Sequence, residues 1–414
     1  PEGVPRYVPT GRESKPPGGE GAVSSVASAS RGSRLRCVDG GGLLCELAED
    51  RDDDALRRLL QEAPLDGRIR LAFPREPSFF AAGAVEGRRH ATVVARRGRN
   101  GPVVGMGSRS VKEVYLNGEP ALLGYLGGLR LAPGWRAGRR TLAGAYALLG
   151  GLRRSDELPF DLTSVVADNL PARRLLERGV PGLPRYTPLT ELVTLVVRTG
   201  PGGRRRGGSR RGRGVVVEAA GTGSRLDALA ERLRREGKAH HLAPRWNRPR
   251  LDELASGRLG TWHPLVALHR GEAVGCAAVW DQRLLRQCVV RGYAPWLGRA
   301  RPVLDAALRL TGRPGLPPAG AALAMGYLSH LSAADGEISA ELVAAARSWA
   351  VGLGLELLAM GLPAGGPEVE VLRRRFGGRT YRSVLYAVHD PDCEPGPPLP
   401  ALPGADVRVE VATL

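Results

Sequence analysis

Between Tyr125 and Leu142 the chain reads Tyr-Leu-Gly-Gly-Leu-Arg-Leu-Ala-Pro-Gly-Trp-Arg-Ala-Gly-Arg-Arg-Thr-Leu. An apolar run meets a Pro-Gly stop and then a turn carrying Arg136, Arg139 and Arg140 around Gly138. A helix follows, with Leu142, Tyr146 and Leu149 at helical spacing. This grammar can hold phosphate. First-turn amides have no partner inside a helix, the helix dipole favours an anion, and arginine supplies charge. Other clusters offer less. The pair His240-His241 lacks further spaced ligands, so no metal site is assigned and a solvated or capping role is expected. Trp280-Asp281-Gln282-Arg283 reads as a strand end with a local ion pair, with a pocket-lining role as the alternative. Glu113, Glu119 and Tyr125 lie near the phosphate turn and are candidate acid–base groups, each reading first as structural. No Gly-x-Ser-x-Gly elbow, Walker Gly-Lys-Ser/Thr or Gly-x-Gly-x-x-Gly is present.

The elements that must position this turn follow from hydrophobic period. Leu43–Leu47 reads as a strand, and Asp54–Ala63 as a helix with Leu56, Leu59 and Leu60 on one face. His90–Ala95 and Pro102–Gly105 read as strands, the second continuing towards Val114, and Asn117-Gly118 predicts a hairpin. After the phosphate turn and its helix, Phe160–Val166 is a strand. Asn169, Pro171 and Gly179 then punctuate a second helix, and Glu191–Val197 is a further strand. Residues 199–214 are Arg/Gly-rich and read as a self-repelling linker.

The second half repeats this order. Strands are expected at Val215–Ala219, Leu265–His269, Ala273–Trp280, Leu285–Arg291, Met325–Leu331, Leu355–Gly361 and Tyr381–His389. Helices are expected around Leu226–Leu233, Val303–Leu310, from Ser339, and at Glu368–Phe376. Val407, Val409 and Val411 alternate like an edge strand.

With 414 residues, 43% hydrophobic and 25% charged, the chain is long enough for two cores. Its net charge of +18 resembles a nucleic-acid binder's, but only Lys15, Lys112 and Lys238 of 60 basic residues are lysine. With 57 Gly and 33 Pro, that points to a general bias towards arginine, and to affinity for phosphate-bearing ligands more than to a nucleic-acid role. The linker lacks aromatic residues to stack on bases, so an RNA-associated function through it is a lesser alternative. The five cysteines form no CxxC, which favours a reducing, cytoplasmic setting, and Cys276 and Cys288 read as core. No run of 18 apolar residues occurs, so no membrane partner is expected.

Strand, helix, strands, strand–basic turn–helix, strand–Asn–helix, strand: this order resembles the GNAT N-acetyltransferase superfamily. Leu129 to Arg136 resembles that family's fourth strand and the Pro-x-x-Arg entry to its pyrophosphate loop. Asp168 to Leu176 resembles its Asn-x-x-Ala-x-x-Leu helix start. The resemblance implies an α/β fold of the α+β type: two tandem GNAT-like domains, each a mixed, mostly antiparallel central sheet flanked by helices. It divides the chain into a disordered segment 1–42, an acyl-CoA-binding domain 43–199, a linker 200–214 and a degenerate GNAT-like domain 215–414. It implies acetyl-CoA or another acyl-CoA as cofactor and a small-molecule or peptide amine as acceptor. Leu129, Leu131, Arg136, Ala137, Gly138, Arg139, Arg140, Thr141 and Asn169 fall on the cofactor-binding positions.

Several positions depart from the family pattern. Arg139 and Thr141 stand where small residues are usual, and Leu176 where a tyrosine often protonates the leaving thiolate. Gly127 and Gly128 occupy the region of the usual acid, so no catalytic residue is assigned, and a non-catalytic binding or regulatory member is the main alternative. In the second half, Asp335 and Glu337 stand where a pyrophosphate would lie, which predicts a domain that completes the groove and binds no CoA in the usual way.

Overall fold

The computed structural model describes residues 37–38, 43–98, 100–200, 214–311, 315–391 and 407–414. The expected disordered segment and the Arg/Gly linker lie outside the described residues, apart from Cys37, Val38, Thr199, Gly200 and Gly214.

Two strands, β1 (Cys37–Val38) and β2 (Leu43–Leu47), precede α1 (Asp53–Glu62). Leu56, Leu59 and Leu60 are buried on one face of α1, as their spacing predicts. The first half continues with β3 (Ile69–Ala72), α2 (Phe79–Gly83), β4 (Arg89–Arg97), β5 (Val103–Leu116), β6 (Glu119–Leu131), α3 (Arg139–Gly150), β7 (Glu157–Val166), α4 (Leu170–Glu177) and β8 (Arg185–Arg198). Asn117 and Gly118, both at positive φ, close the β5–β6 hairpin with Leu116 opposite Glu119. Two consecutive left-handed residues are what a tight hairpin with the strands' own twist requires.

The second half runs β9 (Val215–Ala219), α5 (Gly223–Lys238), α6 (Arg248–Ala255), β10 (Thr261–His269), β11 (Glu272–Asp281), β12 (Val289–Tyr293) and α7 (Pro295–Leu310). It ends with β13 (Met325–Ala333), α8 (Gly336–Gly352), β14 (Leu357–Pro363), α9 (Pro367–Phe376) and β15 (Arg379–His389).

Among the described residues, thirteen strands form one sheet in the order β1-β2-β4-β5-β6-β7-β15-β8-β14-β13-β11-β10-β9. All neighbours are antiparallel except two pairs, β6–β7 and β13–β14. The halves are interleaved. From the second half, β15 lies between β7 and β8, and β8 in turn pairs with β14. Each half therefore supplies a strand to the other, and their cores are continuous through residues such as Leu195, Val197, Leu358 and Met360.

Some expectations are corrected. Leu285–Arg291 is a strand only from Val289, and it pairs with β3 outside the main sheet. Val407–Val411 is no edge strand. Val407 makes a single bridge to His241, and Val411–Thr413 is a short 3-10 turn buried against β13 and β14. The alternating valines reflect a segment that packs inside the molecule, where periodicity alone cannot separate a strand from an irregular plug. Sequence periodicity also missed β3, α2 and α6, which are short, and placed the start of α8 three residues late. Cys45, Cys276 and Cys288 are buried, and burial pushes the Cys276 and Cys288 thiols up to about 12. Among the described residues no helix is long and apolar enough to cross a membrane.

Candidate active site

The two parallel pairs are forks. In the first, β6 and β7 pair from Leu122 to Tyr125, opposite Glu157 to Leu162, and then part. A β-bulge starts the divergence. Between the pairs Met106↔Arg130 and Ser108↔Gly127, β6 carries one residue more than β5. Gly128 sits in the bulge at φ 65°, in the left-handed region that a glycine enters at no steric cost. Beyond it the arms are open: Leu129 is 51% exposed, and Val166 on the opposite arm, Leu170 and Trp135 are exposed as well. Apolar side chains rimming an open cleft mark a place where a ligand's apolar arm is accommodated.

Seven residues, Ala132 to Gly138, link β6 to α3. Gly138 is the N-cap, and the first intrahelical bond runs from Leu142 N to Gly138 O. Arg139 and Arg140 therefore lie in the first turn of α3, ahead of that bond, and both are exposed, as is Arg136. Ala137 is half-buried. Thr141 is buried, and its carbonyl accepts from Cys45 Sγ at 3.6 Å. Leu131 closes β6 opposite Gly105. Asn169 caps α4, its Oδ1 accepting from Ala172 N at 3.3 Å. Thus the fork, the loop and the α3 N-terminus are contiguous, while the Asn169 carbonyl is spent on its own helix. Leu176 leaves α4 without a tyrosine of its own, but Tyr386 reaches it from β15, accepting from Arg173 Nε at 3.0 Å and donating to Glu177 Oε1 at 2.5 Å.

The fork's base is held by buried charge. Arg109 Nε and Nη2 donate to Asp161 and Glu157, Arg153 Nη2 donates to Asp161 at 2.8 Å, and a Cβ on Gly124 would overlap Asp161 Oδ1. Buried carboxylates of this kind persist only when paired.

The second fork repeats the first in backbone but not in content. β13 and β14 pair from Met325 to Tyr327, and the bulge recurs between Cys276↔Ser332 and Ala278↔Ser329. His330 occupies it at φ 57° and is 2% exposed. Only Ala334 and Asp335 separate β13 from α8, and the Asp335 carboxylate accepts from Ile338 N at 2.9 Å, filling the helix N-terminus. The C-terminal segment lies in the cleft. His330 N donates to Glu410 Oε2 at 2.8 Å, a Cβ on Gly361 would overlap the Val411 side chain, and about 60 Å³ of cavity remains. Burial raises the Glu410 carboxyl above its usual range, against the pull of the His330 and Ala412 amides and of Lys112. The repeat was legible but missed: Gly124-Tyr125-Leu126, Leu129, Ala132 and Gly134 recur as Gly326-Tyr327-Leu328, Leu331, Ala334 and Gly336.

A cavity of about 450 Å³ opens between the halves, lined by Glu86, His90, Lys112 and Glu113 from the first and by Trp246 and Arg250, among others, from the second. Glu86 is buried beside Arg75, with His90 Nδ1 at 3.2 Å. Burial opposes its charge, but Arg75 and His90 outweigh that and hold the carboxyl below its usual range. Glu113 accepts from Arg245 and Asn247, so it is committed to joining the halves. Tyr125 OH lies 2.8 Å from Ser164 Oγ, and burial pushes the phenol up to about 12. Glu119 is exposed at the hairpin and lines neither the cavity nor the fork. His240 pairs with Glu236 and His241 accepts from Asn117 N, while Arg283 pairs with Asp281 at 2.8 Å.

No protein-family model and no curated protein matches this sequence. Solved structures do. The chain is similar to Saccharomyces cerevisiae N-myristoyltransferase with bound myristoyl-CoA, at TM-score 0.53 and 11% identity over 88% of this chain and 89% of that one. It is similar to a tandem GNAT protein from the clavulanic acid biosynthesis pathway, at TM-score 0.51 and 13% identity over 85% of this chain and 99% of that one. A GCN5-related glucosamine N-acetyltransferase region of a fungal multi-domain β-N-acetylglucosaminidase aligns at TM-score 0.51 and 14% identity, over 85% of this chain and 38% of that one.

Proposed function

The chain has the GNAT fold in tandem, and from that premise we propose that it is an acyl-CoA-dependent N-acyltransferase with its acyl donor in the first fork. The observation that carries this is the open β6–β7 fork running directly into a seven-residue loop and an arginine-bearing helix start. The residues fit a diphosphate-bearing donor: first-turn amides and Arg136, Arg139 and Arg140 for the phosphates, and the Leu129–Leu131 backbone for the extended arm. A fork that opens at a bulge can orient a carbonyl and offer backbone amides to the charge developing on it. The acceptor, a small-molecule or peptide amine, enters by the cavity between the halves, which lies on the β5–β6 face beside Tyr125.

Thermal melting with CoA and acetyl-CoA tests the donor site. Ligand at 100 times its dissociation constant adds about 2.7 kcal/mol. Arg136→Ala and Arg139→Ala each remove an exposed charge-assisted contact and weaken binding by about 3- to 10-fold, on the order of 1 kcal/mol. No shift with either ligand overturns the assignment. A non-catalytic reading is favoured by Leu176 standing where a tyrosine would supply the thiolate's proton. It predicts donor binding with no thiol release across a panel of primary amines.

A further inference from the structure

One cavity group, besides tying β5 to the segment that ends at Leu414, has a chemistry that its neighbours lack. Lys112 sits on β5 opposite Leu123, and its side chain leans one pleat towards the bulge, with Nζ 4.6 Å from the centre of the Tyr125 ring. The ammonium nitrogen donates to Thr413 O at 2.5 Å and to Thr413 Oγ1 at 3.1 Å. Among the described residues no carboxylate pairs with it. Two acceptors and no carboxylate in direct contact among the described residues suit a neutral amine: two N–H bonds are used, and a lone pair is left over.

The surface between Lys112 and the fork is polar. On the same face of β5, at alternate positions, lie Ser110 and Ser108, both buried, and Ser108 is opposite Gly127 at the bulge. Ser108 Oγ is 2.8 Å from Thr92 Oγ1, while Ser110 Oγ is buried with no partner among the described residues. Buried hydroxyls without partners are costly unless a ligand or water completes them. Ser110, with its hydroxyl unspent, and Ser108 therefore stand on the strand between Lys112 and the bulge, beside which an acyl carbonyl would lie.

We propose that Lys112 is the general base of this enzyme, the group that takes a proton from the acceptor's ammonium so that its nitrogen can attack. The inference rests on the acyl-transfer assignment above and supplies the base that Gly127 and Gly128 leave missing on β6. The free amine forms a C–N bond with the acyl carbon, and the C–S bond of the donor breaks. The second nitrogen proton goes to the departing sulfur, and the Lys112 proton leaves to solvent through the cavity mouth. One proton is released per amide formed.

Composition strengthens the choice. In a chain where only three of 60 basic residues are lysine, position 112 carries the one type that can lose its proton near neutrality. Burial lowers Lys112 to about 7, helped by Arg286 and Arg250 and opposed by Glu86 and Glu410. His90 on β4, Tyr125 on β6, and Arg88, Glu113, Arg245 and Glu253 on the cavity wall are the other titratable or charged groups around it.

With only three lysines, each Nζ can be followed by NMR in full-length protein labelled with 13C-lysine, with and without acetyl-CoA. Lys112, identified by loss of its resonance in Lys112→Met, titrates with a midpoint near 7. A midpoint near the ordinary 10.4 overturns the proposal. In turnover with acetyl-CoA and a panel comprising a glycyl peptide, glucosamine and a polyamine, kcat/KM rises through that same midpoint. Lys112→Arg keeps donors towards Thr413 but cannot give up its proton. It lowers kcat/KM at least 100-fold and loses the pH limb, while the acetyl-CoA melting shift stays. Retention of activity within about threefold, with the limb intact, overturns the proposal. Failure of acetyl-CoA to shift the melt would instead sink the donor assignment. If no panel amine reacts, the NMR midpoint alone decides.

Discussion

The molecule contains the same fork twice, and the difference lies in what each holds. Both have a Gly-Tyr-Leu start, a parallel pairing that parts after the tyrosine, and a bulge at a left-handed residue. In the first fork the bulge is Gly128, the arms are exposed and seven residues lead to a helix whose first turn carries arginine. In the second it is His330, its ring tilted against Trp246 at 4.0 Å between centroids, with its amide bonded to Glu410 and the following helix capped by Asp335. Burial lowers the His330 imidazole to about 3, so the group stays neutral inside this plug. The backbone of a fork is thus insufficient for a ligand site. On the proposed assignment, loop length, the charge at the helix start and the presence of a resident segment separate the copy that binds from the copy that does not.

The forks also differ in how they are closed at the base, and this yields the largest expected effect. A Cβ on Gly124 would meet Asp161 and Arg109, whereas one on Gly326 would meet Leu355. Arg109→Met leaves Glu157 and Asp161 with one cation fewer and should cost about 3–5 kcal/mol, read by urea unfolding. A cost under about 1 kcal/mol would mean that the charge cluster does not hold the first fork together. Smaller is the effect of Glu410→Ala, which leaves the buried His330 amide without its acceptor and should cost about 1–3 kcal/mol. Because that change lies in the second fork, the affinity for acetyl-CoA should stay within twofold. A loss of tenfold or more would place the donor in the wrong half.

Much of this architecture was legible in residue order. The Asn117-Gly118 hairpin, the strand–basic turn–helix unit, the Asn169 cap and the two-half grammar all rest on local chemistry, and local chemistry is what a sequence displays. What was hidden is non-local. Nothing in Arg379–His389 says that it inserts between β7 and β8, and nothing in Val407–Leu414 says that it fills a cleft some eighty residues upstream. The alternating valines there even mimicked an edge strand. Lys112 had been visible only as a rare residue type. Its meaning depends on Thr413, Tyr125 and a cavity whose walls come from residues about 130 positions apart. The repeat around Gly124 and Gly326 was present in the sequence and would have aligned the two forks without coordinates.

The central claim is that one fork of the two takes the acyl donor. Isothermal titration of the full chain with acetyl-CoA tests it most directly, repeated with Arg136→Ala combined with Arg139→Ala. One site per chain, weakened by the paired loop substitution, is the predicted result. Two equivalent sites, or a single site indifferent to that loop, would contradict it.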